Sequence, residues 1–380
     1  MKSFTAKKVL SLFVCLVLLV SLLAGCGQQA TSQPQTQTST TEPAAAAQPK
    51  QNTAKKTITL RIGCGQPESA PMVQYVDTYF CEEVAKQVAE KTDYQIEWMK
   101  GWGGSMVKLG EALEGCESGI VDLAVVVIPL EPAKLKLWNV FYYMPFACYD
   151  STKGIPVLME MIEKYPQFTN VLDDYNLKFI GVGYSEPYGM FSSYEVKSVD
   201  DLKGEKVGAA GANLTWVENS GAATVQSSLP EMYTSIQTGV YKVGIQPAAM
   251  AINVQAYEVA PFIVEGFSSL PCDMVVMNKD ALAALPQEVQ DIIISVGESH
   301  TATDPAYVMA AYAAAKEKAI AAGATVHTLT AEEMQEWIDK IPDSVAVFVQ
   351  ELEDMGIPGG EIVQYYYDGL RANGVDVIAK

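Results

Sequence analysis

The stretch "IVDLAVVVIP" at residues 120–129 constrains the fold more than any other part of the chain. It is apolar at nearly every position and ends in proline, whereas a strand with one solvated face alternates apolar and polar residues. A near-continuous apolar run of this kind is typical of a strand that is covered on both faces. The pattern therefore predicts a sheet with helices packed against both of its sides.

The segments before this run predict alternating strands and helices. Strands are predicted at "TITLRIGCG" and "YQIEWMK", and helices at "QYVDTYFCEEVAKQVAEKT" and "MVKLGEALEGCESG". This βαβαβ order indicates an α/β domain with a largely parallel sheet. A helix followed by a strand recurs at "LPEMYTSIQTGVYKVGIQP", so the sequence predicts two α/β lobes. The chain after residue 284 is mainly helical and is expected to contact both lobes.

The amino terminus carries a targeting signal in which lysines precede an apolar run that stops at "LAGC". This segment resembles the lipobox of bacterial lipoproteins, with a plain signal peptide or a transmembrane helix as the alternative. The resemblance implies that residues 1–25 are a signal peptide and that lipid is attached to the sulfur of Cys26. Residues 26–56 are rich in Gln, Thr, Ser, Ala and Pro, which predicts a disordered tether. We therefore expect an extracytoplasmic protein, lipid-anchored to the outer face of the cell membrane or periplasmic.

The net charge argues against a nucleic-acid-binding protein, and the cysteines argue against a disulfide-stabilised one. The chain has 26 basic and 45 acidic residues, which disfavours nucleic acid as a partner because phosphate contacts need clustered lysine and arginine. The cysteines after residue 26 have no CxxC spacing and lie among apolar residues, which predicts buried free thiols rather than a disulfide framework. They are Cys64, Cys81, Cys116, Cys148 and Cys272.

Motifs of catalysis and of cofactor binding are missing from the sequence. The two histidines, His300 and His327, have no metal-ligand partner at helical or hairpin spacing. "GCGQPE" stops short of a dinucleotide-binding loop, and "GYSEP" lacks the second glycine of a nucleophile elbow. The sequence therefore predicts neither a metal site, nor a cofactor, nor an enzyme.

Three stretches together resemble the extracytoplasmic solute-binding proteins of TRAP transporters, the DctP-like family. They are "ALEGCESGIVDLAVVVIPLEP" with "YYMPF", "VKSVDDLKGEKVGAAG", and "LPEMYTSIQTGVYKVGIQP". The resemblance implies a two-lobed, type II-like periplasmic-binding-protein fold with a ligand cleft between the lobes and a long interlobe helix. The implied partners are a small organic solute and the small and large membrane subunits of the permease. The alternatives are an enzyme or ligand sensor on the same fold, and a passive surface lipoprotein.

We expect the chain to cross between the lobes more than once. Lobe I is predicted to contain residues 57–182 and about 263–300, and lobe II residues 183–262 and about 301–380 with the carboxyl-terminal helices. Pockets of such folds are lined by loops at strand ends. The candidate solute-binding residues chosen on this basis are Glu68, Trp102, Tyr184, Glu186, Tyr188, Asn213, Trp216 and Gln246, and the family resemblance adds Gly208.

Gly208 departs from the family pattern. The resemblance implies an arginine at this position, which grips a solute carboxylate through two parallel hydrogen bonds. Two alternatives follow: an acid held by Lys206, Lys100 or Lys242, or a neutral or zwitterionic solute contacted by aromatic rings and amides. For the individual candidates, packing between the lobes is the alternative at Trp216, and a solvated loop acid is the alternative at Glu68 and Glu186.

Overall fold

A computed structural model describes residues 55–266 and 268–380, with the backbone alone at Ala212. The predicted signal peptide, Cys26 and the tether up to residue 54 lie outside the described residues. Across the described ranges, none of the helices is both long enough and apolar enough to cross a membrane.

The strands of the described residues form two sheets. In chain order they are β1 (Lys56–Gly63), β2 (Tyr94–Gly101), β3 (Leu123–Val127), β4 (Leu177–Tyr184), β5 (Tyr188–Ser192), β6 (Lys206–Ala209), β7 (Ala223–Gln226), β8 (Val243–Pro247), β9 (Phe262–Glu265), β10 (Cys272–Asn278) and β11 (Thr325–Thr328). The first sheet has the order β2-β1-β3-β10-β4, and the second has the order β11-β9-β5-β8-β6-β7.

The apolar run forms β3 near the middle of the first sheet. Strand β3 is parallel to β1, as β1 is to β2, whereas β10 runs antiparallel to β3 and β4. Alternate residues of β3 belong to two different apolar cores, with Ala124 and Val126 in one and Leu123 and Val125 in the other. The strand is therefore covered on both faces, as its composition predicts.

The helices of the described residues cover both sheets. They are α1 (Pro71–Tyr75), α2 (Glu82–Lys91), α3 (Ala112–Glu117), α4 (Ser151–Lys164), α5 (Gln167–Asn170), α6 (Leu229–Gln237), α7 (Ala248–Asn253), α8 (Lys279–Ala283), α9 (Gln287–Ala321), α10 (Ala331–Lys340), α11 (Ser344–Asp354) and α12 (Gly359–Ala372). A π-helical segment, Val76–Cys81, joins α1 to α2. The predicted helix before β3 begins only at Ala112, because Gly110 has a φ of +78° and interrupts it.

Helix α9 is the long interlobe helix. Its 35 residues correspond to about 50 Å at the α-helical rise. Near its middle the Thr301 hydroxyl accepts a hydrogen bond from the Val182 amide of β4, in the first sheet. Further along, the Tyr312 hydroxyl donates to Glu265 of β9, in the second sheet.

The chain crosses between the lobes through short connectors. Residues 185–187 lead from β4 in the first sheet to β5 in the second. Strand β9 still belongs to the second sheet, where it pairs with β5 and β11. The chain therefore returns to the first sheet at Cys272, later than the predicted return near residue 263. The five cysteines of the described residues are buried and free.

Candidate functional site

Two polar residues predicted for the site lie at the carboxyl edge of the second sheet. Asn213 follows β6, and Gln246 lies near the end of β8, where its Nε2 donates to the Ser227 carbonyl over 3.4 Å. The Ser227 amide in turn donates to the Ala209 carbonyl at the end of β6, over 2.9 Å. Asn213, Ser227 and Gln246 are all buried, and this edge of the sheet therefore presents uncharged hydrogen-bonding groups.

Three aromatic residues form a cluster between the lobes, made of Tyr142, Tyr188 and Trp216. The Trp216 ring lies 5.6 Å from the Tyr188 ring and 6.1 Å from the Tyr142 ring, measured between centroids. The Tyr142 hydroxyl donates to the Tyr188 hydroxyl over 2.5 Å. The Asn213 carboxamide lies beside Tyr188 and lowers the pKa of its hydroxyl, against the larger rise due to burial. Burial raises the pKa of both tyrosines, which therefore remain protonated donors.

Three residues named as candidates from the sequence, Tyr188, Asn213 and Trp216, lie in or beside the aromatic cluster, whereas Tyr142 was not among the candidates. Tyr142 lies in the 3₁₀ segment Leu137–Tyr143, whose Trp138 and Phe141 are part of the first-lobe core. The signal available in the sequence was the "YYMPF" stretch, which is part of the family resemblance. Nothing local to that stretch distinguishes Tyr142 from its neighbour Tyr143.

Trp216 and Tyr184 are packing residues in this conformation. Trp216 has 0% exposure, its Nε1 donates to the Tyr142 carbonyl over 3.0 Å, and its own carbonyl accepts from Trp337 Nε1 over 2.9 Å. Tyr184 is also 0% exposed and belongs to the first-lobe core. Their rings therefore hold neighbouring groups in place.

Glu186 lies in the connector between the lobes and is 1% exposed. Its carboxylate accepts hydrogen bonds from the amides of Ala249, over 2.7 Å, and Met250, over 3.3 Å, at the start of α7. Burial raises its pKa to about 8, and these two amide donors oppose the rise only in part. The alternative of a solvated loop acid is therefore wrong for Glu186, although Glu68 is exposed.

The two candidates of the first lobe, Glu68 and Trp102, lie in adjacent loops. The Gly103 amide donates to the Gln66 carbonyl over 2.8 Å, which joins the two loops. Trp102 is half-buried and its Nε1 donates to Asp77 over 3.3 Å. Both candidates thus lie at the carboxyl ends of first-sheet strands, as predicted.

The lysines considered as partners for a solute carboxylate either pair with acidic side chains or lie away from the candidate site. Lys100 pairs with Asp77 at 2.7 Å, and Lys242 pairs with Glu205 at 2.8 Å. Lys206 is exposed at the first residue of β6, at the opposite end of that strand from Asn213. The arginines of the described residues also pair with acids, Arg61 with Asp122 and Arg371 with Asp368.

A buried carboxyl pair lies beside the connector from β4 to β5. The Tyr184 amide donates to Asp304 over 2.7 Å, and the Ser185 hydroxyl donates to Asp273 over 3.4 Å. Burial raises the pKa of Asp273 to about 7, and burial together with the charge of Asp273 raises the pKa of Asp304. Burial lowers the pKa of nearby His300 to about 4. Within residues 55–266 and 268–380, no group of three or more His, Cys, Asp or Glu side chains is placed to hold a metal ion.

Comparison with known proteins identifies the family of the chain. The chain matches the model of a family described as bacterial extracellular solute-binding protein, family 7, over residues 64–351. A solute-binding protein of Sulfitobacter sp. strain NAS-14.1 is 25% identical over 213 residues. That match covers 56% of this chain and 64% of the length of the Sulfitobacter protein.

Solved structures of TRAP solute-binding proteins share the two-lobed fold. One from Desulfovibrio salexigens has a TM-score of 0.73 at 19% identity, covering 83% of this chain and 96% of that one. One from Rhodoferax ferrireducens, in complex with copurified benzoate, has a TM-score of 0.73 at 18% identity. The match covers 83% of this chain and 98% of that one. An extracytoplasmic solute receptor of Bordetella pertussis that binds pyroglutamic acid has a TM-score of 0.68 at 19% identity, covering 81% and 99%.

Proposed function

This chain belongs to the bacterial extracellular solute-binding proteins of family 7, the DctP family, and from that premise we propose how it works. It binds a small organic solute in the cleft between its lobes and delivers the solute to a TRAP-type secondary transporter. The family consists of receptors rather than enzymes. Binding energy is therefore used to shift an equilibrium between open and closed lobes, which requires that the solute bind the closed form more tightly.

The observation that supports this proposal best is the state of the Asn213 side chain. Asn213 is 1% exposed, and its carboxamide oxygen has no hydrogen-bond partner in the described part of the chain. Leaving a buried acceptor unsatisfied costs about 1–3 kcal/mol. A solute N–H or O–H group at this oxygen removes that cost, and so favours the bound state.

The proposed solute contacts come from both lobes. Tyr188, Asn213 and Gln246 contact the solute from the second lobe, with Trp216 behind them. Glu68 and Trp102 contact it from the first lobe when the cleft closes. Because the usual arginine is replaced by Gly208, the solute is a non-standard acid, a zwitterion or a neutral compound.

The proposed location is the outer face of the cell membrane. Lipid on Cys26 holds the protein there, since several acyl chains anchor a protein where one chain gives only reversible binding. The tether predicted for residues 26–56 links this anchor to the body, which therefore stays near the permease subunits.

A thermal-shift screen tests the receptor function directly. Dicarboxylates, sulfonates, amino acids and quaternary amines are added to the purified protein, and hits are confirmed by calorimetry and by mass spectrometry of the recovered compound. A receptor raises its melting temperature with one solute class and releases the compound unchanged. Chemical conversion of the bound compound, or the absence of binding by every class, contradicts the proposal.

A further inference from the structure

Gly208 faces a side of the second sheet that is filled by another side chain. A Cβ atom at residue 208 would lie 2.4 to 2.8 Å from three ring carbons of Tyr241. Carbon atoms that are not bonded to each other pack at about 3.5–4.0 Å. Any side chain at residue 208 therefore requires the Tyr241 ring to move, and the ring occupies the space that such a side chain would take.

The Tyr241 ring extends from the amino end of β8 to the carboxyl edge of the sheet. Tyr241 precedes β8, and Gly208 pairs with Gly244 within that strand. The Tyr241 hydroxyl nevertheless reaches the Ser227 hydroxyl, with which it shares a hydrogen bond of 2.8 Å. The ring is held among Phe191, Met232 and other apolar residues of the second-lobe core. It is therefore a fixed part of this edge.

The groups that make up the hydrogen-bond chain of the Tyr241 hydroxyl are uncharged, and the nearby Glu231 carboxylate accepts from the Ser228 amide over 2.9 Å. Ser227 contributes a hydroxyl, and Gln246 contributes a carboxamide whose Nε2 donates to the Ser227 carbonyl. Tyr241 and Ser227 are 1% and 4% exposed, so water screens little of any charge placed beside them. We call Tyr241, Ser227 and Gln246 the neutral wall.

The surroundings of the neutral wall disfavour an anion. Lys100 and Lys242 are paired with acids, and Lys206 lies at the opposite end of β6. Within the connector the buried Glu186 carboxyl accepts from backbone amides, and no cationic side chain of the described residues pairs with it. A solute carboxylate buried here would lose its hydration without gaining an ion pair.

We infer that Tyr241 determines the class of solute. With Ser227 and Gln246 it selects a solute that presents a hydroxyl, an amide or another uncharged polar group to the second lobe, in place of a carboxylate. This inference rests on the proposed receptor function and deepens it. Gly208 and Tyr241 act as a pair, since the glycine is what admits the ring.

A double substitution at Gly208 and Tyr241 tests the inference. In the double variant Gly208→Arg with Tyr241→Ala, the ring is removed and a guanidinium is introduced that can bind a carboxylate through two hydrogen bonds. The probes are benzoate with benzamide, and pyroglutamate with its primary amide. We expect neither carboxylate to raise the melting temperature of the wild-type protein. We expect at least one of them to raise that of the double variant and to bind it about tenfold more tightly than its amide.

Stabilisation of the wild-type protein by either carboxylate overturns the inference, and so does a folded double variant that gains no carboxylate binding. The first result leaves the receptor function intact, because a receptor for acids is still a receptor. Failure of the receptor function is separate, and it is shown by the absence of binding in the broad screen described above.

If the double variant does not fold, a double-mutant cycle of melting temperatures tests the contact between residue 208 and Tyr241. Gly208→Ala should lower the melting temperature of the wild-type protein. In a Tyr241→Ala background the same substitution should change the melting temperature little. The matched control is Gly63→Ala in the first sheet, whose Cβ would approach Val107 Cγ2 and Val121 Cγ1 at 3.0 Å. Its effect should be the same in both backgrounds. A Gly208→Ala effect that is independent of Tyr241 overturns the inference.

Discussion

The hydroxyl of Tyr142 donates a hydrogen bond to the hydroxyl of Tyr188 over 2.5 Å, and this bond joins the two lobes beside their connector. Tyr142 is carried by a segment that is packed into the first-lobe core. Tyr188 is the first residue of β5, directly after the crossing at residues 185–187. A rotation of one lobe against the other therefore occurs next to this contact.

Removing the Tyr142 hydroxyl should weaken the connection between the lobes without emptying the core. We expect Tyr142→Phe to lower the free energy of unfolding by about 1 kcal/mol, the usual net value of one hydrogen bond. Tyr188→Phe should cost a similar amount, and the double variant should cost clearly less than the two added together. Urea denaturation measures all three. The control is Tyr143→Phe, whose ring stacks on Phe348; additive losses contradict the coupling.

Trp216 should matter for both stability and binding. Because its ring is fully buried and its Nε1 bonds the Tyr142 carbonyl, Trp216→Ala should lower the free energy of unfolding by about 3–5 kcal/mol. It should also weaken solute binding at least about tenfold, equivalent to about 1.4 kcal/mol, since Tyr188 and Asn213 lose their support. Calorimetry on the folded variant measures the affinity. An affinity equal to that of the wild-type protein removes Trp216 from the site.

The buried carboxyls predict that stability falls as the pH rises from about 4, the ordinary carboxyl pKa, to the raised values of about 7 for Asp273 and about 8 for Glu186. The folded-state pKa of Asp273 is raised to about 7, above its ordinary value, so its contribution is fully present below the ordinary pKa and is lost as the pH rises through 7. The pKa of Glu186, raised to about 8, acts in the same direction slightly higher. Asp273→Asn should remove the part of the decline that ends near pH 7, and Glu186→Gln should remove the part that ends near pH 8. Melting curves across this pH range check both, and unchanged profiles in the two variants contradict the assignment.

The lipid anchor has a simple test. We expect the wild-type protein, expressed with its full leader, to fractionate with membranes and to carry acyl chains on Cys26. Cys26→Ser removes the acceptor sulfur and should release the protein into the soluble fraction. Mass spectrometry of the amino-terminal peptide identifies the modification. A variant that stays with the membrane points to another form of attachment.

Much of the fold could be predicted from the sequence because its cause is local. The apolar run of β3 indicates burial on both faces wherever the strand is placed, and Pro230 with the Ser228–Glu231 capping box fixes the start of α6. The candidate site was accessible only in part, because its residues interact across long stretches of chain. Tyr142 and Tyr188 are 46 residues apart, and no local pattern connects them.

Two further features of the site depend on tertiary structure alone. Glu186 has the sequence setting of a solvated loop acid, but α7 folds back over the connector and buries it. Tyr241 becomes a neighbour of Gly208 only through the pairing of β6 with β8. In both cases the sequence shows the residue type, and the register of the fold decides what that residue contacts.

Small-angle X-ray scattering with and without a confirmed solute tests the central claim most directly. If the lobes close on the solute, the radius of gyration should fall at saturating solute and return to its starting value when the solute is dialysed away. Trp216→Phe, which keeps an aromatic ring at this position, should show the same fall at a higher solute concentration. A scattering profile that is identical in the free and the saturated protein would contradict the account.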